Sequence, residues 1–443
     1  MSARSPDFYK NKVILAPMVK AGRTPFRALC SEYGADLVYT EEIVDQKFLQ
    51  CTRTRNDILN TIDYFLDDEL VLRIAKEEKE RCILQIGSNS EHGCILVSKK
   101  IGDDVAGIDV NMGCPKPFSI SGGMGAALLK KPELVQKMIS SLVSVSKIPV
   151  TCKIRMLDTL EDTIKFAKML ESCGISALGV HGRRRDERQQ HKNRSEEVKA
   201  VADALSIPVI ANGESGNISK YEDIKKCLDK CGASSIMIAR KALNNPSIFR
   251  KEGVLPMEKE IQDFLEKACT YDEPYTTVKY SVQRMLGSQQ EFDPRGKKTL
   301  DALTVGEICA IWGKTAFYDG CKEQRQRMTL KRHHTEKENE LEKEGIVVSD
   351  LTFPPKRLKA NHGTLSPKCI LLRYCAEKKL EKPIFKTERR ARDGRFECVI
   401  SVADKKFASR ISQPNTKMAE QVACLAALHG LNIRDRLPGN WEE

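Results

Sequence analysis

A TIM (β/α)8 barrel, followed by a small helical domain and an αβββα module, is the α/β architecture this sequence predicts, on three observations. Over the first 250 of its 443 residues one theme recurs: a short β-branched or aliphatic run, a polar or Gly-containing edge, then a helical pattern. The runs fall at 13–16, 37–40, 82–86, 107–111, 150–153, 177–181, 209–212 and 235–238. Each is apolar throughout, as parallel strands covered on both faces require, and the spacers are long enough for crossover helices. Eight such units match a TIM barrel. A doubly wound open sheet fits less well, because no Gly-x-Gly-x-x-Gly follows the first run. Second, the strand pattern stops after Pro246 and Pro256. Residues 261–268, 275–286 and 303–317 then carry apolar positions three and four apart, the spacing of amphipathic helices. Third, 369–379 reads as a helix, 384–390, 396–402 and 405–411 alternate as strands, and 416–428 reads as a second helix capped by Asn415. The predicted organisation is a barrel domain at 1–250, a helical domain at 251–321, a charged linker at 322–366, the αβββα domain at 367–433 and a tail at 434–443.

Composition narrows the function classes. No apolar run approaches the length needed to cross a bilayer, and residues 1–6 carry no apolar signal segment. The sixteen cysteines never form a Cys-x-x-Cys pair, which suits reduced thiols better than a disulfide frame or a zinc site. Cys227 and Cys231 stand at helical i, i+4 without a second pair and read as core; His333 and His334 do not read as metal ligands. A cytoplasmic, monomeric protein with no metal and no membrane partner is expected. The net charge of +12 is uneven: residues 322–443 hold 26 Lys and Arg against 17 Asp and Glu, +9 of the total. A polyanionic partner is expected at that end.

In a TIM barrel the working residues stand at the C-terminal ends of the strands. Here those positions hold Pro17 and Met18, Glu41 and Glu42, Gln85, Asn111 with Cys114, Lys153 with Arg155, His181 with Arg183, Asn212 with Gly213, and Ala239 with Arg240. Any one of them could be a solvated loop residue; eight polar ends on one face are the signal. Cys114 alone is equally well a buried core cysteine; the bland readings of Lys153, a surface or core-rim salt bridge, and of His181, a hydrogen-bonded core histidine, also stand beside the functional ones. Together the types suit a flavin: Gln85 can donate and accept at an amide-like ring edge, and Lys153 supplies a point charge for a ring that becomes anionic on reduction. The segments after strands seven and eight are where barrels bind phosphate through backbone N–H groups.

These residues resemble the tRNA-dihydrouridine synthases. The matching motifs are Ala16-Pro-Met18, Asp109-Val-Asn-Met-Gly-Cys-Pro115, Gly122-Gly-Met-Gly-Ala126, Cys152-Lys-Ile-Arg155, Val180-His-Gly-Arg183, Ala211-Asn-Gly213 and Met237-Ile-Ala-Arg240, in the family's order. The resemblance implies an oxidoreductase that reduces a uridine of tRNA with FMN as cofactor and NADPH as reductant, at position 20 of the D-loop because the C-terminal region looks like that of the eukaryotic branch acting there. It implies that Pro17, Met18, Gln85, Lys153, His181, Asn212, Gly213, Glu214, Ala239 and Arg240 hold FMN. Cys114 would be the catalytic acid, and Asn111 and Arg155 would face the uracil. Glu214 stands where many relatives have Gly or Asp, and a carboxylate aimed at the phosphate would repel it, whereas a backbone contact would survive. Residues 417–428 are similar to the second helix of double-stranded-RNA-binding domains, which read A-form shape through phosphate and 2′-OH contacts. The family's Lys-Lys pair is reduced here to Thr416-Lys417, and Lys368, Arg373, Lys378, Lys379, Arg389, Arg390 and Arg392 are expected to compensate. A flavoenzyme acting on a free pyrimidine and a non-catalytic RNA-binding protein are the alternatives.

Overall fold

Each of the eight apolar runs forms a strand in the computed structural model, which describes residues 6–188, 190–334, 345–349, 351, 366–390 and 394–433. The chain divides into two compact units, one built on the barrel and the helical segment, the other on the C-terminal sheet. In chain order the first strands are β1 (Val13–Leu15), β2 (Leu37–Tyr39), β3 (Ile43–Val44), β4 (Thr52–Asn56), β5 (Thr61–Leu66), β6 (Glu69–Ala75), β7 (Cys82–Gly87), β8 (Gly107–Met112), β9 (Val150–Arg155), β10 (Ala177–His181), β11 (Val209–Asn212) and β12 (Ser235–Ile238). The parallel order is β2-β1-β12-β11-β10-β9-β8-β7. Pairing of Val38 with Cys82 and Tyr39 with Ile83 joins β2 to β7 and closes the barrel. Closure leaves no edge, so three-residue strands such as β1 are paired on both sides.

Ile14, Leu37, Tyr39, Ile83, Ile210 and Met237 fill the interior. The segment Pro6–Tyr9 seals the N-terminal end, with Tyr9 fully buried and its carbonyl accepting from Ser235 Oγ. A Cβ on Gly107 would sit 2.6 Å from the Tyr9 hydroxyl, so that strand must begin with glycine. Crossover helices start at side-chain caps where the sequence supplies them: Ser90 Oγ accepts from Gly93 N at 3.1 Å and Thr159 Oγ1 from Asp162 N at 3.0 Å. Arg27, on the helix Thr24–Glu32, is fully buried and gives both Nε and Nη2 to the Glu78 carboxylate at 2.7 Å.

Two features depart from the sequence reading of the barrel. Between β2 and β7 the chain adds the two-residue β3, paired to β7 through Ile43 and Ile86, and a separate three-stranded sheet in the order β4-β5-β6. In the helical segment, 303–317 is not one helix. Gly313, at φ +71°, separates Val305–Ile311 from Thr315–His334, and a further helix, Pro294–Asp301, precedes them. Trp312 is core there, with its Nε1 donating to Thr299 Oγ1 at 3.0 Å and the Arg295 guanidinium over its ring at 4.3 Å.

The C-terminal unit shows the expected αβββα order: helix Pro367–Glu377, β14 (Ile384–Arg389), β15 (Phe396–Val402), β16 (Lys405–Ser409) and helix Thr416–Gly430. Asn415 caps the last helix, its side chain accepting from Met418 N at 2.8 Å. Ala403 and Asp404, both at positive φ, make the tight turn between β15 and β16. Phe407, Ile400, Leu371, Met418 and Leu428 form its core. A strand absent from the sequence reading, β13 (Ile346–Ser349), pairs parallel to β16 and makes the sheet four-stranded. The rest of the linker, apart from residues 345, 351 and 366 and the part of it in the helix Thr315–His334, lies outside the described residues, as do Arg392 and the tail. Among the described residues no helix is long and apolar enough to cross a membrane, and no group of three or more His, Cys, Asp or Glu could hold a metal ion. All sixteen cysteines are free thiols.

Candidate active site

Strand register brings the motif residues together. Around the C-terminal end of the barrel, Gln85 pairs with Asp109, Asn111 with Lys153, Lys153 with Gly179, Arg155 with His181, and His181 with Asn212. Gly179 leaves room for the stem of Lys153, since a Cβ there would lie 3.2 Å from Lys153 Cγ.

Beneath the rim lies a chain of buried hydrogen bonds. Thr151 Oγ1 donates to Asp109 Oδ1 at 2.7 Å, Gln85 Nε2 to Asp109 Oδ2 at 2.8 Å, and Asn111 Nδ2 to Gln85 Oε1 at 3.3 Å. The carboxylate accepts only, so it turns the Gln85 amide, which in turn orients the Asn111 amide. Asn111 Oδ1 is left to accept the backbone N–H groups of Gly113 at 2.9 Å and Cys114 at 3.0 Å. One donor and one acceptor position of Gln85 remain for a ligand. Burial pushes the Asp109 carboxyl up to about 6, against the hydrogen bonds from Gln85 and Thr151. A folded pKa above the unfolded value contributes stability that is present below about pH 4 and is lost as pH rises through 6, on the order of 3 kcal/mol for this shift. Asp109→Asn is therefore expected to flatten the pH dependence of thermal unfolding between pH 4 and 6. An unchanged slope would contradict the buried titration.

The Cys114 thiol is partly exposed, and burial pushes its pKa above the ordinary thiol value. Ala126 N donates to the Cys114 carbonyl at 3.0 Å and Arg155 Nε to the Gly113 carbonyl at 2.7 Å, which fixes the turn from both sides. Gly125, at φ +57°, lies against Cys114 and Ser119; a Cβ there would meet the Cys114 carbonyl oxygen at 2.6 Å.

From the neighbouring strand β9 onward the rim is cationic. Burial, followed by the charge of Arg155, lowers Lys153 to about 8. His181 falls well below its ordinary value through burial and the fields of Lys153, Arg155, Arg183 and Arg240, so it is neutral. Arg183 Nη1 reaches the Gly213 carbonyl at 2.9 Å and lies 3.4 Å from His181 Nε2. Gly213, at φ +118°, has no space for a side chain: a Cβ would lie 2.1 Å from Asn193 Oδ1 and 2.9 Å from His181 Cδ2. Asn193 Oδ1 and Arg184 Nε are buried without a hydrogen-bond partner. Mutually repelling cations beside bare backbone and the unpaired donor Arg184 Nε fit a bound anionic group with a phosphate, whereas Asn193 Oδ1, an acceptor, calls for a donor instead.

Several predicted residues sit otherwise than a direct ligand would. The Glu214 carboxylate is buried and consumed by Asn193 Nδ2 at 2.5 Å, Ser195 Oγ and Asn217 Nδ2. Burial raises it, but those hydrogen bonds outweigh burial and hold it below the ordinary range. The carboxylate keeps its charge, but its oxygens are turned to neutral donors within the protein, so the expected repulsion of a phosphate is screened and the backbone of Glu214 is the part left for one. Asn212 Nδ2 donates to the Met237 carbonyl at 3.0 Å. Pro17 and Met18 follow β1 at the rim, partly exposed, as are Ala239 and Arg240 after β12. The sequence reading missed Asp109 and Asn193 as site-forming residues and left Glu42 without a role. The motif spacing that places Asp109 two residues before Asn111, on the same face of a strand, is the signal for the first; Asn193 carries none.

In the C-terminal unit Arg373, Arg389 and Lys417 are exposed. Lys368 and Arg390 are engaged within the domain. Lys368 Nζ contacts Glu420 at 2.6 Å above the Phe385 ring, and Arg390 pairs with Glu397 at 3.2 Å. An RNA contact from either would have to break an ion pair.

Barrel, thiol turn and cationic rim define a β/α-barrel protein with a cysteine and a cluster of cations at the C-terminal ends of its strands, and the chain carries a second unit of αβββα type. The family model described as Dihydrouridine synthase (Dus) matches residues 14–304, and the double-stranded RNA binding motif matches residues 367–431. The chain belongs to the dihydrouridine synthase family. The tRNA-dihydrouridine(20) synthase [NAD(P)+] of Schizosaccharomyces pombe is 36% identical over 290 residues, spanning 63% of this chain and 60% of that protein. Its Saccharomyces cerevisiae counterpart is 32% identical over 305 residues, 64% of this chain and 79% of that protein. A crystal structure of a mutant double-stranded-RNA-binding domain of human tRNA-dihydrouridine(20) synthase covers 20% of this chain and 91% of its own, at 27% identity and a TM-score of 0.19.

Proposed function

We propose that this protein reduces the C5=C6 bond of a uridine in tRNA to dihydrouridine, at position 20 of the D-loop. The observation that carries this reading is the Cys114 thiol, held at the rim by Asn111 and facing Lys153 and Arg155. FMN, reduced by NADPH, would supply the hydride for C6. Gln85, Lys153 and His181 would hold its ring side, and Pro17, Met18, Asn212, Gly213, the Glu214 backbone, Ala239 and Arg240 would hold the rest. Cys114 supplies the proton for C5. Its raised pKa keeps it a thiol near neutral pH, the form a general acid needs. Arg155 and Asn111 orient the uracil, with Arg155 already fixed by the Gly113 carbonyl. The printed names of the yeast relatives support both the reaction and the position.

Mass-mapping of tRNA from cells lacking the protein tests the reading: one uridine should have lost its reduction. Purified protein should be yellow and bleach with NADPH; a colourless protein that cannot take up FMN would sink it. The C-terminal unit would grip the RNA through Arg373, Arg389 and Lys417. Deleting residues from 345 onward is expected to weaken tRNA binding ~10-fold or more at moderate salt and to reduce its salt dependence. Flavin reduction by NADPH should persist; loss of flavin on truncation would contradict this division of labour.

A further inference from the structure

Adjacent carboxylates after β2 have different surroundings. Glu41 accepts from Lys20 N at 2.9 Å and lies 3.4 Å from Arg23 Nη1. Glu42 turns inward, against the thiol turn. A Cβ on Gly87 would sit 2.6 Å from Glu42 Oε1, so glycine at that strand end makes the space for it. Glu42 Oε1 is buried and has no settled hydrogen-bond partner, and neither has the Ser119 hydroxyl. The groups acting on Glu42 are Cys114, Ser119, Asn111 and Asp109, none a cation, and burial raises its pKa. Ser119 in turn acts on Cys114, while Lys153 and Arg155 act on the thiol from the neighbouring strand β9. A carboxyl group with no counter-ion, a hydroxyl with an unused proton and a thiol thus share one pocket.

Resting on the acid role of Cys114 given above, we propose that Glu42 is the proton reservoir of the thiol, resupplying Cys114 after each turnover. In the reaction the S–H bond breaks, C5–H forms and Cys114 is left as thiolate. The Glu42 carboxyl O–H then breaks as S–H re-forms, either directly or with Ser119 accepting one proton and giving another. The Glu42 carboxylate recovers its proton from water. No electrons move in these steps. A base seated on the exposed side of Cys114 covers that side, so resupply from the buried side keeps the thiol ready.

The test uses full-length flavin-loaded protein carrying Glu42→Gln, Glu42→Asp or Ser119→Ala. With pre-reduced enzyme, the first turnover on tRNA should change less than ~2-fold in Glu42→Gln, because the Cys114 proton is already in place. Steady-state turnover should fall ~10-fold or more, within the range of proton-transfer catalysis, with Asp restoring much of it and Ser119→Ala falling in between. Independently of tRNA, alkylation of Cys114 by iodoacetamide, read on its peptide by mass spectrometry, should show a midpoint ~0.5 pH unit or more lower in Glu42→Gln, since a neighbouring negative charge has been removed. Equal losses in first and later turnovers, or an unmoved alkylation midpoint, would overturn the role of Glu42. Wild-type protein that forms no dihydrouridine in either assay would overturn the reaction itself, and the two failures are told apart by that control.

Discussion

Cys114→Ala is expected to lower dihydrouridine formation by ~10²- to 10⁴-fold, the usual contribution of a positioned general acid, with little effect on flavin content or tRNA affinity. The substitution removes only the sulfur. Asn111 Oδ1 still accepts from the backbone N–H groups of residues 113 and 114, and Ala126 N still donates to the carbonyl of residue 114. The cations that suit an anionic cofactor, Lys153, Arg183 and Arg240, belong to other strands and do not depend on the thiol. Quantifying dihydrouridine in tRNA treated with each protein, beside the flavin absorbance, separates chemistry from folding. Wild-type product formation by the alanine variant would remove Cys114 from the mechanism.

Arg27→Met is expected to destabilise the barrel by about 3–5 kcal/mol, the cost of breaking a buried pair from one side. Arg27 donates to both oxygens of Glu78, to the Gly22 carbonyl at 2.6 Å and to the Arg73 carbonyl at 2.7 Å. Glu78 also accepts from Ala75 N at 2.9 Å, so this one guanidinium ties the helix Thr24–Glu32 to the end of β6. Methionine fills the aliphatic volume but removes the guanidinium from the Gly22 carbonyl and from a buried carboxylate that keeps only Ala75 N, while the Arg73 carbonyl retains Thr24 Oγ1. Adding Glu78→Gln should recover part of the loss, because no unpaired charge then remains. Urea unfolding of a Trp441→Phe background, in which Trp312 alone reports and lies in the barrel's unit, measures both. A loss below ~1 kcal/mol would show that the site relaxes or admits water.

These two residues differ in how far the sequence reveals them. Cys114 was marked as a candidate by a local pattern, a β-branched strand, an amide and a thiol three residues apart, then Pro, though that pattern alone left a buried core cysteine equally open. Arg27 looks like any helix-surface cation, and only its contact with Glu78, fifty-one residues later, shows that it is buried. The same contrast runs through the site. Lys153 and His181 were placed by strand-end position, but their lowered pKa values come first from burial and then from neighbouring cations, Arg155 on the same strand for Lys153 and Lys153, Arg155, Arg183 and Arg240 for His181.

By itself the sequence determined the eight barrel strands, the helix cap at Asn415 and the circle of polar strand ends, because each is written in runs of neighbouring residues: buried parallel strands are apolar without alternation, and caps are one side chain bonding three residues on. Only the tertiary structure decided the two-residue β3 and the added β13, which are too short to carry a pattern and exist because a neighbouring strand supplies their hydrogen bonds. It also decided which charges are available. The carboxylate of Glu214 and the ammonium of Lys368 are spent on partners distant in sequence, while Glu42, a bland acidic position in the sequence, faces the thiol. Charge availability is set by what comes to lie within a few ångströms, and no local pattern encodes that.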